Sequence, residues 1–216
     1  AAAPPAPGAA EKFEFTGAPD FTRADTESTF EAGLGYKVND AAQVFVRAGR
    51  NVRFATVDDL YEFDEFFSRV FSPLNPQITR HAELGGRLAL GRVDTRLSAY
   101  LMHLDDEIHF NPVSFANENL DPTRRRGVEA EFGVQALENL SLRANYTLQR
   151  ASFRAGPFEG NDVPVAPRRL ANVSVLWTVL PKVNVSATWR YVGSKRFDND
   201  EANTFGLLIP AYAMLD

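Results

Sequence analysis

The sequence has no cysteine, only three histidines and two methionines, and no excess of basic over acidic residues. Without cysteine there can be no disulfide framework, no thiolate metal site and no thiol nucleophile. A net charge of -5 leaves no electrostatic footprint for nucleic acid. No apolar stretch approaches the roughly 18 residues that a membrane helix needs. The longest uncharged segment of the second half, Leu170 to Pro181, is shorter and contains Asn172 and Ser174. The opening Ala1 to Gly8 lacks the basic and apolar regions of a signal peptide. Residues 1–26 read as a flexible lead-in and outer loop, and 27–216 as the folded unit. Averaged hydropathy would describe a soluble chain, but averaging is blind to strands in which apolar and polar residues alternate.

Alternation of that kind is what the sequence does contain. Phe30, Ala32, Leu34 and Tyr36 are separated by Glu31, Gly33 and Gly35. Similar runs place Val44, Val46 and Ala48, then Ala82, Leu84, Leu88 and Leu90, then Val93, Leu97, Ala99 and Leu101 on one side. Val128 to Val134, Leu140 to Leu148, Ala171 to Trp177 and Val183 to Tyr191 continue the pattern, and Ala211 to Leu215 begins another run. A period of two over such lengths means strands with one apolar face, whereas a helix would scatter these positions around its axis. The chain is therefore expected to be all-β, with about eight complete strands and the start of a ninth.

The connections alternate in length. Short turns fall at Val38 to Asp40, Gly91, Leu137 to Asn139, and Pro181-Lys182. Long ones run from Ala55 to Pro76, Asp105 to Thr123, Ala151 to Pro167, and Gly193 to Ile209. Short turns at one end and long loops at the other characterise an up-and-down outer-membrane barrel rather than a soluble sandwich. Tyr36 and Trp177 lie beside short turns, while Tyr146, Trp189 and Tyr191 lie towards the long loops, as two interfacial belts would. The opposite face carries Glu31, Arg47, Glu83, Arg87, Asp94, Arg96, Glu129, Glu131, Arg143 and Arg190. So many charges suit a wide lumen, as in plugged transporters of about 22 strands, and most should form ion pairs across strands. The expected architecture is thus a fragment of a larger antiparallel transmembrane β-barrel.

Particular residues then resemble a known family. Asn119-Leu120-Asp121-Pro122-Thr123-Arg124-Arg125-Arg126-Gly127-Val128-Glu129 resembles a loop-to-strand junction of TonB-dependent receptors. Arg53 to Tyr61 is similar to a strand end of that family, with Ala55-Thr56 standing where Pro-Thr is usual. Asn75-Pro76, Asn145-Tyr146-Thr147, Gly160, Val163 to Arg168, Tyr191-Val192-Gly193 and Ile209 to Tyr212 extend the likeness in family order. The resemblance implies an outer-membrane receptor for a scarce nutrient of the ferric siderophore, haem or cobalamin class. It further implies energy supplied by the TonB complex through a plug domain outside this sequence, and contact with outer-membrane lipid.

Ligands of such receptors meet the loop tips and upper lumen. The residue types suited to them are Arg53, Tyr61 and Arg69 in the first long connection, and His109 and Phe115 in the second. Arg154 and Phe158 in the third, with Lys195, Arg196 and Phe197 in the fourth, complete the candidates. Arginine can fork onto carboxylates and catecholates, and aromatic rings stack on planar groups. Each of them also has a plainer role as a solvated loop residue or a contact to lipid phosphate. Two other functions compete: a structural or adhesive barrel, and an outer-membrane hydrolase. The hydrolase would rest on His103 beside Asp105 and Asp106, with no serine elbow nearby. His103 and His109 lack the spacing of a helical zinc site, and on one strand they would share a face. No catalytic residue, metal site or cofactor is expected.

Overall fold

Thirteen strands and one helical turn make up the computed structural model, which describes residues 24–63 and 69–216. The expected lead-in therefore lies, as far as residue 23, outside the described residues. Nine strands form one antiparallel sheet: β1 (Phe30–Lys37), β2 (Ala42–Arg53), β5 (Gln77–Leu90), β6 (Val93–Asp105), β9 (Thr123–Leu137), β10 (Leu140–Phe153), β11 (Arg169–Leu180), β12 (Val183–Val192) and β13 (Tyr212–Leu215). Their spatial order is their chain order, so each strand between β1 and β13 pairs with the sheet strand before it and the one after. The remaining elements lie within the long connections. They are α1 (Val57–Leu60), the hairpin β3 (Tyr61–Phe63) with β4 (Arg69–Phe71), and the hairpin β7 (Glu107–Asn111) with β8 (Ala116–Leu120).

Register makes the alternating sequence into two continuous surfaces. Leu34 faces Val46, Val46 faces Leu84, Leu84 faces Ala99, and Ala99 faces Val128. Val128 faces Leu148, and on neighbouring levels Ala144 faces Val173 and Val173 faces Trp189. Directly paired residues lie on the same side of a sheet, so every apolar series meets its neighbours on one face. That face is exposed: Leu34 is 71% accessible, and Leu84 and Leu97 are each 63%. On the other face Glu83 is only 7% accessible and Ser98 4%. Burial is inverted relative to a water-soluble domain, as it must be when lipid is the outer solvent.

The strands overshoot the lengths expected from alternation alone. β9 has 15 residues; at the usual rise and tilt this spans about 40 Å, against an apolar band about 25 Å tall. The excess lies at the long-loop end, where β5, β6, β9 and β10 rise beyond the band. There the inner face gains a small apolar core of Leu120, Ala151, Phe153 and Val163, with Phe158 and Ala166 packed on it. Alternation fades in this stretch because both faces of a strand can meet protein. The two hairpins and α1 likewise have no long period by which to be recognised.

Two inner-face glycines are required by close approach. A Cβ on Gly85 would stand 2.5 Å from the Phe45 ring, and one on Gly127 2.8 Å from the Tyr100 hydroxyl. Each aromatic side chain lies across the glycine of the next strand and fills what would be a gap in the wall. The short turns are compact. Asn39 Oδ1 accepts the amides of Ala41 and Ala42 at 2.9 and 2.8 Å, and Gly91 and Lys182 adopt φ of +56° and +77°.

The two faces should respond oppositely to charge. Leu84→Arg in the full-length protein should destabilise the membrane-inserted barrel by about 2–4 kcal/mol. Glu131→Gln on the inner face should change it by less than about 0.5 kcal/mol. Urea unfolding in phospholipid vesicles measures both, and equal effects would show that the apolar face does not meet lipid.

Candidate functional site

The inner wall is built around a carboxylate that the strand register places between two arginines. Arg47 of β2 meets Glu83 Oε2 at 2.5 Å, and Arg96 of β6 donates to Glu83 Oε1 at 3.0 Å. The Arg96 guanidinium also lies 4.8 Å from the centre of the Phe45 ring. Lower on the wall Arg87 pairs with Asp94 at 2.7 Å. These are the cross-strand ion pairs that the charged face implied.

Above the wall the long connections interlock. His109 of β7 is 2.9 Å from Asp198, and Asn199 donates to Asn111 at 2.9 Å, so the β7–β8 hairpin is tied to the fourth connection. That connection is tied to the third by Asn203, whose Oδ1 accepts the Asp162 amide while its Nδ2 donates to the Asp162 carbonyl, each at 2.9 Å. Fully buried Asp200 organises the segment by accepting from the amides of Thr204 and Phe205 and from Arg196. The first connection is linked to the second through Asn75, whose amide donates to Asn119 Oδ1 at 2.7 Å. Between the second, third and fourth connections lies a cavity of about 520 Å³ bordered by Asn111, Glu118, Phe153, Phe158, Asn199 and Phe205.

The ten candidate residues are distributed through this scaffold. Arg53 reaches both Asp59 oxygens at 3.1 Å, and Tyr61 packs against Phe71 with ring centres 5.3 Å apart. Arg69 opens β4. Arg154 pairs with Asp105, which also holds Arg80, and Phe158 packs on Phe153 at 5.8 Å. His109 and Arg196 are engaged by Asp198 and Asp200 as described. Lys195 bridges to Ile209 through its backbone. Phe115 and Phe197 present exposed rings, Phe115 at the β7–β8 tip with φ of +54°. Of the nine candidates whose side chains are described, Phe158 alone borders the cavity.

The polar residues that hold the mouth together (Asp105, Asn119, Asp162, Asp200 and Asn203) were not among the candidates. Their signal is the density of Asn and Asp in the long connections, which marks structured loops without saying which loop meets which. His103 and His109 do not share a strand: the chain bends at Asp106, φ +55°, and places them in β6 and β7. Among the described residues no group of three His, Asp or Glu side chains could hold a metal ion.

Comparison with known proteins places this arrangement. The family model described as TonB dependent receptor-like, beta-barrel, matches residues 8–216. Over 94 residues the chain is 35% identical to the ferrioxamine receptor of Yersinia enterocolitica, covering 42% of this chain and 12% of that protein. The ferric yersiniabactin uptake receptor FyuA from Yersinia pestis superposes with a TM-score of 0.66 at 22% identity, over 86% of this chain and 28% of FyuA. BauA, the ferric preacinetobactin receptor from Acinetobacter baumannii, gives 0.62 at 18%, over 87% of this chain and 28% of BauA. The chain thus spans under a third of the length of each of these relatives.

The first connection should loosen in acid. Burial alone would raise the Asp59 pKa, but the Thr56 amide and hydroxyl and the Arg53 guanidinium outweigh it and hold the carboxyl below its usual 3.8. Such a group contributes its full stabilisation above the unfolded value and loses it as pH falls through the lower folded value. Limited proteolysis of the full-length protein should therefore find this connection protected at neutral and mildly acidic pH and cut increasingly as pH drops below about 4. Asp59→Asn should be cut alike across that range. Separately, Asp200→Ala should weaken the fourth connection by about 1–3 kcal/mol, read as earlier cleavage near Asn203.

Proposed function

The chain belongs to the TonB-dependent receptor-like β-barrel family of the bacterial outer membrane, and on that premise we propose that it forms wall strands and outer loops of a receptor for a ferric-siderophore-class ligand. Family members are transporters rather than enzymes. The observation that carries the reading is the mouth itself. Four long connections, cross-linked by amide and carboxylate contacts, stand over a polar-lined wall, and the second, third and fourth of them border an open cavity with aromatic walls. The related receptors are named for ferrioxamine, ferric yersiniabactin and ferric preacinetobactin, which favours an iron chelate over haem or cobalamin.

In this reading the candidate residues divide by what already holds them. Phe115 and Phe197, exposed at the mouth, stack on the ligand, and Lys195 supplies positive charge. Arg53, Arg154, Arg196 and His109 are pinned by Asp59, Asp105, Asp200 and Asp198 and present their remaining donors in set directions. Tyr61 and Phe158, packed against Phe71 and Phe153, shape the apolar borders. Inward passage draws on the TonB complex through a plug domain seated against the charged inner wall.

The full-length receptor, purified in detergent, should bind a ferric trihydroxamate or related ferric chelate, measured by quenching of its tryptophan fluorescence. Phe115→Ala with Phe197→Ala should weaken that binding by up to roughly tenfold, the usual worth of aromatic stacking. Folded protein that binds no ferric siderophore, or that prefers haem or cobalamin, would refute the ligand class.

A further inference from the structure

The charges of the mouth are settled unevenly. Its arginines are held by the protein's own carboxylates: Arg53 by Asp59, Arg154 by Asp105, Arg150 and Arg168 by Asp162, and Arg196 by Asp200. The cavity between the second, third and fourth connections shows the reverse. Its border carries three carboxylates, Glu118, Asp121 and Glu201, and no Lys or Arg among the described residues. Glu118 receives one hydrogen bond, from Asn111 Nδ2 at 3.2 Å. His109, directly opposite Glu118 in the hairpin, is engaged by Asp198 instead. The side chains of Asp121 and Glu201 take part in no ion pair or hydrogen bond among the described residues. Asp121 lies over the backbone of Gly156, whose φ is +87° and where a Cβ would come within 2.5 Å of the carboxylate.

The amides on the same border add a further acceptor. Asn119 Nδ2 donates to the carbonyls of Asn75 and Asp106, at 3.1 and 2.8 Å. Asn111 Nδ2 donates to Glu118, and Asn199 Nδ2 donates to Asn111. Each Nδ2 is thus committed to a protein acceptor, whereas Asn199 Oδ1 is buried and accepts no hydrogen bond. A buried acceptor left open is rare in a folded protein and calls for a donor. The rest of the border includes Phe153 and Phe158, packed with ring centres 5.8 Å apart, and Phe205. Aromatic faces attract cations through their quadrupole. Uncompensated carboxylates, an open amide oxygen and aromatic rings all favour an occupant that brings positive charge and N–H donors.

We propose that this cavity binds a protonated amine of the ligand, so that the receptor selects a ferric chelate bearing a free ammonium group over the same chelate without that charge. The proposal rests on the ferric-chelate reading above and adds to it the charge of the ligand. Asp121 and Glu201 supply the counter-charge, Asn199 Oδ1 accepts an ammonium N–H, and the phenylalanine rings cover the alkyl arm. A primary amine with a pKa of about 10 stays protonated at neutral pH. It brings three donors and no acceptor, which matches a border made of acceptors. The volume of about 520 Å³ lies in the range of small-ligand sites. An anionic group entering the same cavity would meet like charge with no cation to offset it.

The test uses the full-length receptor in non-ionic detergent and two probes, a ferric trihydroxamate with a free primary amine and the same chelate with that amine acetylated. Tryptophan quenching should show the amine form binding on the order of tenfold more tightly, the usual worth of a charge-assisted contact. Added salt should narrow the difference. Asp121→Asn with Glu201→Gln should remove the preference while leaving the acetylated chelate's affinity unchanged. Should that protein fail to fold, Glu118→Gln with Glu201→Gln serves instead and should reduce the preference. Glu159→Gln, a carboxylate of the third connection away from the cavity border, should preserve it. Equal affinity for the two chelates in the unmodified receptor would overturn the proposal and leave the ferric-chelate reading standing. A preference that survives both pairs of substitutions would place the ammonium elsewhere and overturn it too. Binding of neither chelate would overturn the proposal and the reading together.

Discussion

Every backbone N–H and C=O in the membrane-spanning part of this chain must be paired within protein, because hydrocarbon offers no partner. The other features follow from that requirement. A sheet can meet it only through continuous neighbour-to-neighbour pairing, which the antiparallel order of nine strands provides. With the backbone committed to the ladder, side chains alone can distinguish the two faces. The outward set is therefore predominantly apolar over the band, and the inward set is left to settle charges. Strand edges are a liability in any sheet. Here β1 and β13 are the edges among the described residues, and closure of the wall needs further strands against them.

The inner wall and the mouth solve their electrostatic problem by the same local device. One carboxylate gathers two cations, or a cation and backbone amides. Glu83 gathers Arg47 and Arg96, Asp105 gathers Arg80 and Arg154, and Asp162 gathers Arg150 and Arg168. Asp200, fully buried, gathers Arg196 and two amides. Exposed ion pairs are each worth little, so these clusters matter more for geometry than for global stability. They hold long connections, which have little core of their own, in a fixed arrangement over the wall.

The strands and their faces were legible from the sequence because a period of two is a local property. Leu140 to Leu148 identifies its own apolar side without reference to any other strand, and the register then matched it to Val128 on one side and Ala171 on the other. The alternation of short and long connections was equally local, and it placed the mouth at one end. Aromatic positions such as Tyr36 and Trp177 followed from the same count along the strand. The β7–β8 hairpin is not legible in the sequence because five-residue strands in an Asn- and Asp-rich loop show too little period to separate from turns.

What only the tertiary structure decided is which loop residue meets which. His109 and Asp198 are 89 residues apart, and Asp162 and Asn203 are 41 apart, yet each pair is in hydrogen-bond contact. No repeat in the chain encodes such a meeting. It depends on β10, β11 and β12 carrying the loops to adjacent places on the rim, and on short polar side chains finding partners there. The sequence by itself determined the wall, its two faces and the end at which the long connections gather, because backbone pairing and alternation act over a few residues. The shape of the mouth was decided by side-chain contacts between segments distant in sequence, and those exist only once the wall has brought them together.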